Sequence, residues 1–160
     1  MSEIQLDTMD VTILGMLQQD GRMSFTDIAA ELEVSVGMVR NRYNRLIENR
    51  IIHIIGWTDP VKAGLNAYAR VLLAIRPSKL IRQVAAQLAP MEEVSFLAQT
   101  SGNHNLEINL ICSNNDQLLQ VIHDRIHSIE GVYETSTTMY LEVMKWASHD
   151  VRDVQKENKN

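Results

Sequence analysis

"EVSVGMVRNRYNRLIENR", residues 33–50, carries four arginines against two glutamates in a 160-residue chain of formal net charge −5. Ser35 stands where a helix N-cap belongs, and behind it Val36, Val39, Tyr43, Leu46 and Ile47 recur at helical spacing. With about 100° of rotation per residue these five share one arc. Gly37, Met38, Asn41 and Arg45 then lie opposite, with Arg42 and Asn44 on the flanks and Arg40 beside the apolar arc. The exposed face of this helix is expected to be polar, basic and rich in amides.

Working upstream, Leu6, Met9, Ile13, Met16 and Leu17 form a first helical stripe that "QDGR" at 19–22 stops. Ser24 caps a short second helix through Phe25, Ile28, Ala29 and Leu32, with Asp27 placed three residues on, close to a capping box. Only "EV" separates that helix from Ser35. A short helix, a tight turn and a polar-faced helix make a helix-turn-helix, whose second helix enters the DNA major groove. On this reading Gly37, Met38 and Asn41 face bases, Arg42 and Arg45 face phosphate or guanine, and Ser35 and Asn44 complete the set. The plainer alternative is a solvated amphipathic helix in a three-helix core.

Composition bounds these readings. A hydrophobic fraction of 45% in 160 residues suits one medium domain or two small ones with packed cores. A single cysteine, Cys112, rules out an intrachain disulfide or a cysteine-built zinc site and fits a reducing compartment. The acidic start "MSEIQLDTMD" has no apolar core, and the run "VLLAI" at 71–75 is too short to cross a bilayer. A cytoplasmic chain without membrane contact is expected. Residues 1–60 hold five arginines (Arg22, Arg40, Arg42, Arg45, Arg50) against nine acids, so any nucleic-acid footprint is a local stripe rather than a global balance.

Downstream, "IIHIIGWTDP" at 51–60 is β-branched and closed by Asp59-Pro60, which predicts a linking strand with His53 inside it. From Ala67 the pattern predicts a strand "AYARVLLAI", a helix capped by Ser78, a hairpin of "VSFLAQT" and "LEINLIC" around "SGNHN", and a helix stopped by Gly131. A last strand from Val132 to Val143 follows, with Thr135, Thr137, Met139, Leu141 and Val143 on one face. The order βαββαβ is the ferredoxin-like split arrangement, so the fold class is α+β. One sheet face lacks a cover within the chain, and self-association through it is the expected solution. The expected organisation is a helix-turn-helix domain at 1–50, a linking strand and hinge at 51–66, a ferredoxin-like domain at 67–147 and a polar tail at 148–160.

These pieces together resemble the Lrp/AsnC family of bacterial and archaeal transcription regulators. The resemblance rests on Leu6-Asp7 with Asp10 and Ile13-Leu14, on Asp20-Gly21-Arg22, on Ser35 through Arg42 to Arg45-Leu46, and on Ser101-Gly102 in the hairpin. It implies a winged-type domain that binds double-stranded DNA, and homodimers joined through the linking strand and sheets that often assemble to octamers. It also implies a small-molecule effector, commonly an amino acid, held between dimers. Family members often carry Gly-Asp-X-Asp in the hairpin, where this chain reads Gly102-Asn103-His104-Asn105. Both carboxylates that would face an α-ammonium group are missing. Thr100, Gly102, Asn103, His104, Asn105, Thr135 and Thr137 are the candidate effector residues, and a tight turn is the plainer role for Asn103 to Asn105.

No cofactor, metal site or catalytic residue is expected. His123 and His127 have the i, i+4 spacing of helical zinc ligands, but no third ligand is evident and both read as surface residues. Cys112 has no partner base in sequence. The same two-domain architecture also resembles siroheme decarboxylase subunits, in which His104 would serve a tetrapyrrole and a basic helix face would have no purpose. A ligand-binding or assembly module without DNA binding is the other alternative.

Overall fold

In the computed structural model, residues 5–56 and 58–145 are described, and the expected polar tail at 148–160 lies outside them. The chain divides at Trp57/Thr58 into two compact units, the second being Thr58–Met144.

The first unit holds α1 (Thr8–Gln19), α2 (Phe25–Glu31) and α3 (Val36–Glu48). Each begins on a side-chain cap: the Asp7, Ser24 and Ser35 oxygens accept from the backbone N–H groups of Asp10, Asp27 and Met38. These bonds satisfy donors that a helix start leaves orphaned. Ile13, Ile28, Val39 and Leu46 are fully buried where the three helices meet, and Phe25 and Tyr43 pack against them with ring centroids 4.9 Å apart. Full burial of each such aliphatic side chain stabilises by about 1.5–3 kcal/mol. Among the described residues this unit contains no strand, and so no hairpin wing.

Among the described residues of 51–60 the predicted linking strand is not formed within the chain. Ile52 is drawn into the three-helix core, Ile54 lies against Gly21 and Ile55 is 79% exposed. A strand needs a neighbour to receive its N–H and C=O groups, and the described residues of the chain offer none here. Asp59 and Pro60 instead open a turn, with Asp59 Oδ1 accepting from the N–H groups of Val61 and Lys62.

The second unit runs β1 (Ala67–Ile75), α4 (Ile81–Leu88), β2 (Val94–Gln99), β3 (Leu106–Cys112), α5 (Asn115–Gln120) and β4 (Val132–Met139). The sheet order is β2-β3-β1-β4, with every pair antiparallel, which is the ferredoxin-like arrangement. Alternation along β1 and β3 sends Ala67, Ala69, Val71 and Leu73 with Leu106, Ile108 and Leu110 under the helices, where they meet Val84, Leu88 and Ile126. Tyr68, Arg70 and Leu72 with Glu107, Asn109 and Ile111 take the opposite, open face.

Three boundaries differ from expectation. Ser78 does not cap α4; it begins a 3₁₀ turn, Ser78–Leu80, that follows the cis Arg76-Pro77 bond and leads into the helix. The helix after Asn114 leaves α geometry at Val121 and continues as a π-helical stretch to Ile126, keeping Val121, Ile122 and Ile126 in the core. β4 stops at Met139, one residue before Tyr140, whose N–H still donates to the Tyr68 carbonyl of β1. Leu141, expected within the strand, is 98% exposed.

A candidate DNA interface and a ligand hollow

The face of α3 turned to solvent carries Gly37, Met38, Arg40, Asn41, Asn44 and Arg45, all exposed. Ser35 caps the helix through its hydroxyl oxygen, which accepts from Met38 N–H. A Cβ built on Gly37 would meet nothing within 4 Å, so no contact inside the chain requires a glycine there.

The arginines behave differently from one another. Asp10 is fully buried, and the sequence reading passed over its role. Arg42 Nη1 donates to Asp7 Oδ2 at 2.6 Å and to Asp10 Oδ1 at 2.8 Å, while Arg45 donates to the remaining oxygen of Asp10. Asp7 and Asp10 also exchange backbone-to-carboxylate bonds of 2.9 and 3.1 Å in a capping box that starts α1. The two arginines expected to face DNA are thus both bound to carboxylates. Arg42, with only 24% of its side chain exposed, is a brace between α1 and α3; Arg45, at 45%, keeps donors toward solvent. Arg40 and Arg50 form no ion pair among the described residues and are the free cations of this stretch. The Asp10 N–H bond, and then Arg42, hold the Asp7 carboxyl below its usual 3.8, and the two carboxylates raise Arg42 further. The missed signal was present in sequence: Asp10 precedes Ile13, Leu14 and Leu17 by three, four and seven residues, so it sits on the buried stripe.

In the second unit a hollow of about 570 Å³ lies on the open sheet face beside the β2–β3 hairpin. Thr100, Asn103 and His104 line it with Ser101 and Gln99, and the sheet contributes Arg70, Leu72 and Glu107. The hairpin is held rigidly. Thr100 N–H donates to Asn105 O, Thr100 Oγ1 donates to His104 O at 2.9 Å, and Asn105 Oδ1 accepts from Ile75 N–H at 2.7 Å. Asn105 is therefore a tether to β1 rather than a lining residue, and Gly102 supplies the turn with φ +107°. His104 Nε2 is buried without a hydrogen-bond partner. Thr135 and Thr137 are not brought to this site. They lie opposite Leu73 and Val71 on the helix-covered side of the outer strand β4, where Thr135 Oγ1 meets His127 Nε2 at 2.8 Å. Arg70, Leu72, Gln99 and Glu107 were not anticipated, although period-2 alternation through Arg70 and Leu72 places both on the uncovered face.

His123 and His127 stack edge-on at 5.3 Å, and among the described residues no group of three or more potential ligands could hold a metal ion. Cys112 is buried, and desolvation raises its thiol pKa, which makes it a core residue. No helix among the described residues is long and apolar enough to cross a membrane.

Comparison with known proteins fits both halves. Residues 6–47 match the AsnC-type helix-turn-helix domain and residues 69–152 match a C-terminal dimeric alpha+beta barrel domain of AsnC-type regulators. An uncharacterized HTH-type transcriptional regulator of Pyrococcus abyssi is 34% identical over 145 residues, covering 90% of this chain and 91% of that protein. The HTH-type transcriptional regulator LrpA of Pyrococcus horikoshii is 33% identical over 143 residues, covering 88% and 99%. Among solved structures, the transcriptional regulator NMB0573/L-Met complex of Neisseria meningitidis superposes with TM-score 0.79 at 21% identity, covering 90% and 95%. The two matched domains, their order and the full-length relatives lead to one conclusion: the chain belongs to the Lrp/AsnC family and is a helix-turn-helix transcriptional regulator.

Proposed function

We propose that the solvent face of α3 reads a specific operator, and that a small molecule, an amino acid or related metabolite bound at the hairpin between dimers, shifts assembly or DNA affinity. The observation that carries the DNA assignment is Gly37. An exposed helical glycine costs up to about 1 kcal/mol relative to alanine. Its Cβ position is empty in this chain, so the cost has no intramolecular return and suits close approach of another surface. Gly37, Met38, Asn41 and Asn44 face bases; Arg40 and the free donors of Arg45 face phosphate, with Arg42 and Ser35 holding the helix that presents them.

The small-molecule part is supported by the hollow at the hairpin and by the L-Met complex of the Neisseria neighbour. Two copies join through their open sheet faces, which carry Leu72, Ile111 and Phe96, the last 47% exposed, and dimers build an octamer. Fluorescence anisotropy with the chain's own upstream DNA at two salt concentrations tests the reading. Arg40→Ala is expected to weaken binding on all sequences and lower the salt slope by about one. Asn41→Ala is expected to change sequence preference by about 1–3 kcal/mol at one base pair. Unaltered binding in both variants would overturn the α3 assignment.

A further inference from the structure

Arg50 follows α3 in a backbone conformation that side chains disfavour. Its φ is +57°, in the left-handed region where a helix end ordinarily carries glycine. Two backbone bonds hold it there: Arg50 N–H donates to Ile47 O and Ile51 N–H donates to Leu46 O, both at 2.9 Å. The chain turns here and Ile52 enters the helical core. The turn demands the conformation but not the arginine. Glu33 has φ +54° in the turn between α2 and α3, so the strain by itself carries no function. What distinguishes Arg50 is an unused positive charge.

The carbonyls that a basic side chain at a helix end could cap are already taken. Arg45 O accepts from both the backbone N–H and the side-chain Nδ2 of Asn49, and Leu46 O and Ile47 O accept the two bonds above. Arg50 is exposed, and among the described residues its side chain is in no hydrogen bond and no ion pair, Glu48 included. Its place at the end of α3 supplies a partner. The 13 residues of α3 make roughly 20 Å of helix, against a major groove about 12 Å wide. Gly37, Met38 and Asn41 lie in the first half. A helix seated by that half carries its far end past the bases to the edge of the groove, where the phosphates run.

We infer that Arg50 is a phosphate clamp in the DNA complex, holding the far end of α3 while its first half meets bases. The inference rests on the α3 reading above and adds to it a residue beyond the helix. Because two backbone bonds already fix the main chain at Arg50, only its side chain must be ordered on binding. A phosphate contact carries no sequence information, so its contribution is the same on an operator and on unrelated duplex.

The test is fluorescence anisotropy of the full chain with its own upstream DNA and with an unrelated duplex of equal length, at two salt concentrations. Arg50→Lys keeps the charge, Arg50→Gln removes it on the same strained backbone, and Arg50→Gly removes it and relieves the backbone; melting temperatures check that all three fold. Arg50→Lys is expected to bind within about twofold of wild type. Arg50→Gln and Arg50→Gly are expected to weaken both duplexes alike and to lower the salt slope by about one, so that their deficit is about threefold larger at 50 mM than at 200 mM salt. Wild-type affinity and slope in these two variants would overturn the inference, as would a loss confined to the upstream DNA or one that Arg50→Gly restores. Binding that Arg40→Ala weakens but position 50 leaves untouched would overturn it alone, whereas absence of salt-sensitive binding by the wild type would sink the α3 reading itself.

Discussion

Asp10 combines full burial with three hydrogen bonds from charged or backbone donors, and its two arginines come from a helix more than thirty residues away in sequence. A carboxylate in that position stabilises only while its partners are present, since a buried charge without them is strongly unfavourable. Arg42→Ala is therefore expected to lower the stability of the first unit by about 3 kcal/mol, read from chemical denaturation followed by far-ultraviolet circular dichroism. Asp7 allows a pH test. Its folded pKa lies below the unfolded value near 3.8, so its contribution is complete above that value and fades as pH falls through the folded one. Asp7→Asn keeps an N-cap oxygen but removes the charge. It is expected to be less stable than wild type at neutral pH, with the gap closing as the pH falls from the unfolded value through the lower folded one; a gap independent of pH would contradict the assigned pairing.

Individual helices and strands were largely legible because each carries its own punctuation. Ser24 and Ser35 cap where they were expected to, and Gly131, with φ +101°, ends the α5 region as predicted. What could not be read depended on partners remote in sequence. The run Ile51 to Ile55 has the composition of a strand, but composition supplies no neighbouring ladder, and Ile52 found the helical core instead. Arg42 and Arg45 were legible as cations on α3, while their inward pairing required knowing that α1 delivers Asp10 beside them. The hollow was half legible, since the hairpin announced itself by its turn residues but Arg70 and Glu107 joined it only through strand register. At this scale α3 makes a sharp prediction. Gly37→Ala is expected to raise the melting temperature by about 2–4 °C through helix propensity while weakening operator binding about tenfold. A stabilised variant with full DNA affinity would remove Gly37 from the interface.

On the scale of the whole molecule, the assembly proposed above makes the open sheet face decide how many reading heads act together. Tyr68 and Tyr140 stack there at 4.4 Å, next to Leu72 and Ile111, and Phe96 extends the apolar area onto β2. Phe96→Glu is expected to shift sedimentation toward the monomer and weaken operator binding in parallel. Dissociation without loss of DNA affinity would separate the sheet from DNA recognition. The brace that consumes Arg42 and part of Arg45 has a further meaning here. A single domain that neutralises its own recognition-helix cations holds DNA weakly, and its occupancy is governed by the effective concentration that a tethered second domain provides. On the proposed reading, control lies less in the strength of any one contact than in the number of heads joined, so a small molecule that altered assembly by one step would change promoter occupancy by orders of magnitude without touching the reading surface.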